Sequence, residues 1–228
     1  QSSQSQSSFY PPTLLHDALQ ETEKAKGRLL YYFPTSSEKD DSWIGWHADS
    51  GFLTALAGDM YINHETGEEL LDSGDPHAGL YVATANNTKD ETAYQIIKVD
   101  IPFDCVAVQV GECVQLVTGG ALVATPHCVR GSTVTNDNTV ARISLPCFID
   151  TPPTFPLSLP KGCHRKDALH TAYDRVPPLG VRWTHDGMTF GDFLAKTFAT
   201  YYEWSSSTSD DNDNKTGDGG IEEKDVVE

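Results

Sequence analysis

The chain has 228 residues, 38% of them hydrophobic, and a formal net charge of −17. That length supports one domain with a sizeable core, and no apolar run approaches the ~18–20 residues that a membrane span needs. The acidic balance repels phosphate backbones and anionic lipid, so neither nucleic acid nor a membrane is an expected partner.

The sequence opens on Gln1 with a Gln/Ser-rich stretch that has neither the basic start nor the apolar middle of a signal peptide. This reads as a processed chain or a piece of a longer one, with Gln1–Pro12 as a flexible lead. Thr13–Gly27 has good helix formers, with Leu14, Leu15 and Leu19 on one side and Gly27 as a stop. Arg28–Pro34 is a short aromatic strand, and Ser36–Ser42 a polar loop. Residues 57–79, rich in glycine, make a long loop or a small hairpin. Short strands are expected at Leu80–Thr84, Tyr94–Val99, Val106–Gln109, Val114–Thr118, Ala121–Ala124, Pro126–Arg130 and Val140–Phe148, separated by turn residues such as Asn86-Asn87, Gly119-Gly120 and Asn136–Asn138. Many short strands at this spacing argue for an antiparallel sandwich or barrel.

Past Asp150 four prolines mark an irregular connection. Thr189–Trp204 then has helical spacing, with Phe190, Phe193, Leu194 and Phe198 expected to pack on the sheet. The acidic end reads as a solvated, disordered tail. The organisation is thus a lead and helix (1–27), a β core (28–150), a connection and helix (151–205), and a tail (206–228). Cys105, Cys113, Cys128, Cys147 and Cys163 are odd in number and include no Cys-x-x-Cys, so they are expected as buried free thiols in a reducing, cytoplasmic compartment.

Three side chains suggest a metal site. His47 and Asp49 are two apart, so on a strand they share a face. His127 follows a two-glycine turn and an apolar stretch. Two imidazoles and one carboxylate leave coordination positions open and suit non-haem Fe(II), although the same donors also fit zinc. Further on, Arg142 and Ser144 share one strand face. A guanidinium beside a hydroxyl binds a carboxylate well, and a buried arginine needs an anionic partner. Arg130-Gly131-Ser132 repeats the Arg-x-Ser spacing but runs into a polar turn and is expected to be exposed. Trp46 and Phe52 flank the site as core residues, and His64 and His77 read as solvated.

The segment from about Arg28 to Pro153 resembles the isopenicillin-N-synthase-like family of Fe(II)- and 2-oxoglutarate-dependent oxygenases. The resemblance rests on His47-Ala48-Asp49 with Gly51 and Leu53-Thr54-Ala55-Leu56, then Gly79-Leu80-Tyr81-Val82, Val110–Gly120, Ala124-Thr125-Pro126-His127 and Arg142-Ile143-Ser144. It implies a mainly β fold, a double-stranded β-helix or jelly roll with flanking helices. It implies Fe(II) on His47, Asp49 and His127, and 2-oxoglutarate as cosubstrate with its far carboxylate on Arg142 and Ser144. Tyr31 or Tyr32 would help to hold it. The implied partners are O2 and a small organic substrate, which would be hydroxylated or desaturated. The chain departs from the family pattern at Cys128 (commonly Arg), Gly119 (commonly Asn) and Glu112 (commonly Asp). Most of the family's N-terminal helical region is absent, and the gap between Asp49 and His127 is lengthened. Two other readings fit the same motifs. One is an iron oxidase that uses no 2-oxoglutarate and binds its substrate's own carboxylate through Arg142 and Ser144. The other is a non-catalytic binding protein on the same fold.

Overall fold

The computed structural model of the chain describes residues 14–22, 25–35, 42–85, 94–133, 139–169 and 173–209. The expected lead, most of the polar loop at 36–42, the Asn86-Asn87 and Asn136–Asn138 turns and the tail from residue 210 lie outside the described residues.

In chain order the elements begin with helix α1 (Leu14–Gln20) and strands β1 (Ala25–Gly27), β2 (Leu30–Tyr32), β3 (Ser42–His47), β4 (Leu53–Leu56), β5 (Met60–Asn63), β6 (Glu69–Leu70), β7 (Gly79–Ala85), β8 (Tyr94–Val99) and β9 (Ala107–Val110). Helix α2 (Glu112–Val117) is followed by β10 (His127–Arg130), β11 (Val140–Ser144), β12 (Cys147–Ile149) and β13 (Pro156–Leu157). The C-terminal part holds α3 (Arg165–Ala168), α4 (Leu179–Arg182), β14 (Met188–Thr189) and α5 (Phe190–Ser209). Three four-stranded sheets, ordered β3-β10-β7-β8, β2-β11-β5-β6 and β1-β12-β4-β9, carry the fold. All their pairings are antiparallel. The inner faces of the three sheets enclose one cavity, a double-stranded β-helix as expected from the sequence.

Strand alternation explains the wall. Tyr32, Arg142 and Tyr61 stand opposite one another across β2, β11 and β5 and point inward, so Tyr31 and Ile143 take the outer face. The Gly-rich stretch forms the β5–β6 hairpin, with Gly67 at φ 75° in its turn.

Several local expectations are corrected. The first helix stops at Gln20, and Ala25–Gly27 is instead an edge strand on Cys147–Ile149, because ladder pairing overrides helix propensity there. Of the strand expected at 114–118, residues 114–117 lie in α2 and Thr118 caps it. Every residue of that helix is buried, and a fully buried run carries no periodic signal to separate helix from strand. Residues 121–124 form no ladder, and Leu122 and Val123 are exposed. The expected strand 140–148 breaks into β11 and β12 around Leu145-Pro146, since proline cannot donate to a ladder.

The largest core cluster lies outside the barrel. Phe52, Val114, Leu116 and Val117 pack there with Leu157, Trp183, Phe190 and Phe193. The aromatic stripe of α5 joins this cluster, where Phe190 meets Phe52 edge-on and the helix runs along α4 and β14. Its buried face runs through Phe190, Phe193 and Thr197, which leaves Phe198 at 61% exposure. The helix also continues to Ser209, past the point where a tail was expected. Inside the barrel, Tyr32, Trp43, Leu80 and Val129 form a second cluster.

Candidate metal centre

The sheet ladder brings the two histidines together. His127 at the start of β10 pairs directly with His47 at the end of β3, and their rings lie 4.1 Å apart between centroids. Asp49 joins them by a different route from the one its spacing suggested. It lies beyond the end of β3, in a turn whose backbone is held from α2. Glu112 N donates to Asp49 O at 2.8 Å and Cys113 N to Gly51 O at 3.0 Å. Gly111 fits this junction because a Cβ there would sit 2.2 Å from Gly51 O.

One ligand atom from each of His47, Asp49 and His127 lies within 4.8 Å of the others, so the group can hold a metal ion. His127 Nε2 is 3.8 Å from Asp49 Oδ1. Metal bonds of about 2.1 Å at right angles would place donors roughly 3 Å apart, a small contraction from this arrangement.

Neighbouring groups fix which atoms face the centre. His47 Nδ1 donates to Gly45 O at 2.9 Å and His127 Nδ1 to Thr125 O at 3.1 Å, which leaves each Nε2 with a lone pair. Asp49 Oδ2 accepts from Thr54 Oγ1 at 2.6 Å and from Gln109 Nε2 at 3.0 Å, which leaves Oδ1 toward His127. The same Gln109 nitrogen lies 3.0 Å from His127 Nε2. A donor group thus sits against the carboxylate and the imidazole lone pair that a cation would also satisfy. Burial, with a smaller effect from His47, lowers the His127 pKa to about 4, so its imidazole is neutral at pH 7 as ligation requires.

The cavity extends from this group to Arg142 and Ser144 and has a volume of about 250 Å³. Arg142 is 5% exposed and Ser144 9%. The Arg142 guanidinium lies over the Tyr32 ring, 4.8 Å from the centroid, and pairs with Asp59 (Nη2 to Oδ1 2.5 Å). Tyr61 donates to the other Asp59 oxygen at 3.4 Å. Burial opposes the Arg142 charge, but Asp59 outweighs it and the guanidinium's pKa is raised. Burial, then Asp59, pushes the Tyr61 phenol up to about 12. Among the described residues, Arg142 Nε and Nη1 have no hydrogen-bond partner. Leu30, Ile44, Leu56, Leu80, Val99 and Val129 make the walls between the two ends apolar.

The two tyrosines offered by the sequence separate. Tyr32 lines the cavity, whereas Tyr31 does not and bonds instead to His64 Nδ1 at 2.7 Å. Tyr81 likewise turns away, with its hydroxyl on His77 O. His64 and His77 are exposed, and Phe52 is fully buried, as expected. Arg130-Gly131-Ser132 stays off the cavity but is not exposed: Ser132 is buried on Ser73 O and Arg130 stacks on Tyr81. None of the five cysteines forms a disulfide, but only Cys113 and Cys128 are buried and Cys105 is exposed.

Sequence reasoning assigned no role to Thr54, Gln109, Asp59 or the buried pair Glu112–Arg182. Thr54 had a signal, being polar within an apolar strand. Asp59 had one in the need of a buried arginine for an acid, but it falls in the stretch 57–79, read as a loop or a small hairpin. Gln109 had none.

No protein-family model matches the sequence, and no curated protein matches it. Solved structures do. A full-length Neurospora crassa protein, in complex with alpha-KG and thymine, superposes with a TM-score of 0.52 at 18% identity, over 82% of this chain and 47% of that one. A 2OG-Fe(II) oxygenase family protein from Caulobacter crescentus gives 0.49 at 19%, over 82% and 48%. The rice dioxygenase for auxin oxidation gives 0.48 at 20%, over 78% and 47%. The chain therefore spans about half the length of the solved structures it matches, and the likeness to the Neurospora protein is one of fold.

Proposed function

We propose that the chain is the catalytic core of a non-haem Fe(II) oxygenase that uses 2-oxoglutarate to oxidise a small organic molecule. The observation that carries this reading is one cavity with a His-Asp-His group at one end and a buried arginine and serine at the other. The donor set fits iron, since two imidazoles and a carboxylate are ligands that non-haem Fe(II) takes and would leave it further coordination positions. When bound, the iron would supply the redox chemistry that converts 2-oxoglutarate and O2 to succinate and CO2 while a substrate C–H bond is oxidised.

The chain's own residues do the holding and orienting. His47, Asp49 and His127 hold the metal. Thr54 and Gln109 aim Asp49 by occupying its other oxygen. Arg142 and Ser144 receive the cosubstrate's far carboxylate, with Arg142 Nε and Nη1 as unsatisfied donors that fit an anion. Tyr32 backs the guanidinium. The thymine of the Neurospora complex makes a heterocycle-sized molecule a reasonable first substrate class to screen.

Asp59 on Arg142 favours a second reading, in which that pair is permanent, no dicarboxylate enters and iron acts on the substrate directly. One experiment separates the two. Fe(II) and 2-oxoglutarate are added without oxygen, the weak visible charge-transfer band of the chelate is sought, and oxygen is then admitted while succinate is assayed. A band absent in His127→Ala and weakened in Arg142→Ala supports the first reading. Iron binding with no band supports the second, and no iron binding sinks both.

A further inference from the structure

The arginine end of the cavity already holds a carboxylate that belongs to the protein. Asp59 comes from the short connection between β4 and β5, and its Oδ1 lies 2.5 Å from Arg142 Nη2. A guanidinium offers two edges with parallel N–H pairs, Nε with Nη2 and Nη1 with Nη2. Nη2 carries one N–H on each edge, so its single bond to Asp59 takes one of the two docks, while Nε and Nη1 stay unpartnered among the described residues. A second carboxylate cannot share the guanidinium cheaply, because like charges a few ångströms apart in a buried site repel strongly.

Asp59 also has somewhere to go. Its side chain is 21% exposed against 6% for Arg142. Its second anchor is weak, the 3.4 Å bond from Tyr61. Lys98 lines the same cavity, and both Lys98 and the Tyr61 hydroxyl lie against Gly79.

We propose that Asp59 is a built-in competitor for the anion site on Arg142, which a dicarboxylate must displace in order to bind. The proposal rests on the reading of the cavity given above. It makes Asp59 a specificity-determining residue: it lowers affinity for ligands with a far carboxylate and leaves those without one untouched.

The test is calorimetric binding to the full chain loaded with Fe(II), without oxygen. The ligands are 2-oxoglutarate and 2-oxopentanoate, which has the same length but no far carboxylate. Asp59→Asn keeps the shape and removes the charge. It is expected to tighten 2-oxoglutarate binding roughly tenfold or more and to leave 2-oxopentanoate unchanged. Tyr61→Phe, which frees Asp59 from its second anchor, should move binding in the same direction and serves if Asp59→Asn does not fold by circular dichroism. Wild type that prefers 2-oxoglutarate through Arg142, with no tightening in either variant, overturns the proposal while the cavity reading stands. If neither wild type nor Asp59→Asn distinguishes the two ligands, and Arg142→Gln changes nothing, the cavity reading fails and the proposal fails with it.

Discussion

Thr54 donates to Asp49 at 2.6 Å, and through that bond a strand residue of β4 decides which carboxylate oxygen faces His127. Thr54→Val keeps the volume and removes the donor. Loss of such a supporting bond is expected to weaken metal affinity roughly 10- to 100-fold with circular dichroism unchanged. Titration with Mn(II) or Co(II) measures this, and Thr54→Ser should restore most of the affinity. Equal affinity in Thr54→Val would mean that Gln109 alone orients the carboxylate.

Glu112 and Arg182 form a fully buried pair behind the Asp49 turn, with two bonds of 2.5 Å. Burial raises the Glu112 pKa even though Arg182 pulls it back. Arg182→Met leaves an uncompensated carboxylate and is expected to cost about 3–5 kcal/mol in urea unfolding. A group whose folded pKa is raised is penalised above its unfolded pKa and relieved as pH falls, so the deficit should narrow in acid. The double variant Glu112→Gln/Arg182→Met should recover much of the loss; a deficit equal to that of the single variant would assign the cost to packing.

His127 has its folded pKa depressed from 6.5 to about 4 by burial and then by His47. The unfolded chain therefore binds one more proton between these values. Metal-free stability should hold above pH 6.5 and fall by on the order of 3 kcal/mol as pH drops to about 4. Comparing urea midpoints across this range for wild type and His127→Asn checks it: the variant should lose this part of the acid dependence, and identical curves would contradict it.

Gly111 seats the start of α2 against the turn after Asp49. Gly111→Ala drives a methyl to 2.2 Å from Gly51 O, backbone that cannot step aside. The expected loss is about 1–3 kcal/mol, with metal affinity reduced as well because Asp49 moves with its turn. An unchanged Tm and metal affinity would show that the turn is free to shift.

Much of the β framework was legible because its signals are local. Alternation and turn residues marked β7 and β8 nearly to their ends and β11 at its start, and the same two-residue period put Arg142 and Ser144 on one face. The helical spacing of α5 was legible for the same reason. Burial hid the rest. In α2 every side chain is covered, so no polar stripe betrays a helix. In Tyr31 and Tyr32 the alternation was visible, but which face was the inner one was not.

The sequence by itself determined the donor chemistry: two histidines and an aspartate, an Arg-x-Ser on a strand, and an order and flanks that imply a jelly roll. Tertiary structure decided how those donors meet. His47 faces His127 across a ladder between residues 80 positions apart in the chain. Asp49 is aimed by a helix that the sequence read as a strand. Asp59, read as part of a loop or small hairpin, is the acid on Arg142. Periodicity reports which side of its own element a residue takes. Partners that lie far apart in sequence are chosen by packing and by the need of buried charges for each other, and those act only once the chain is folded.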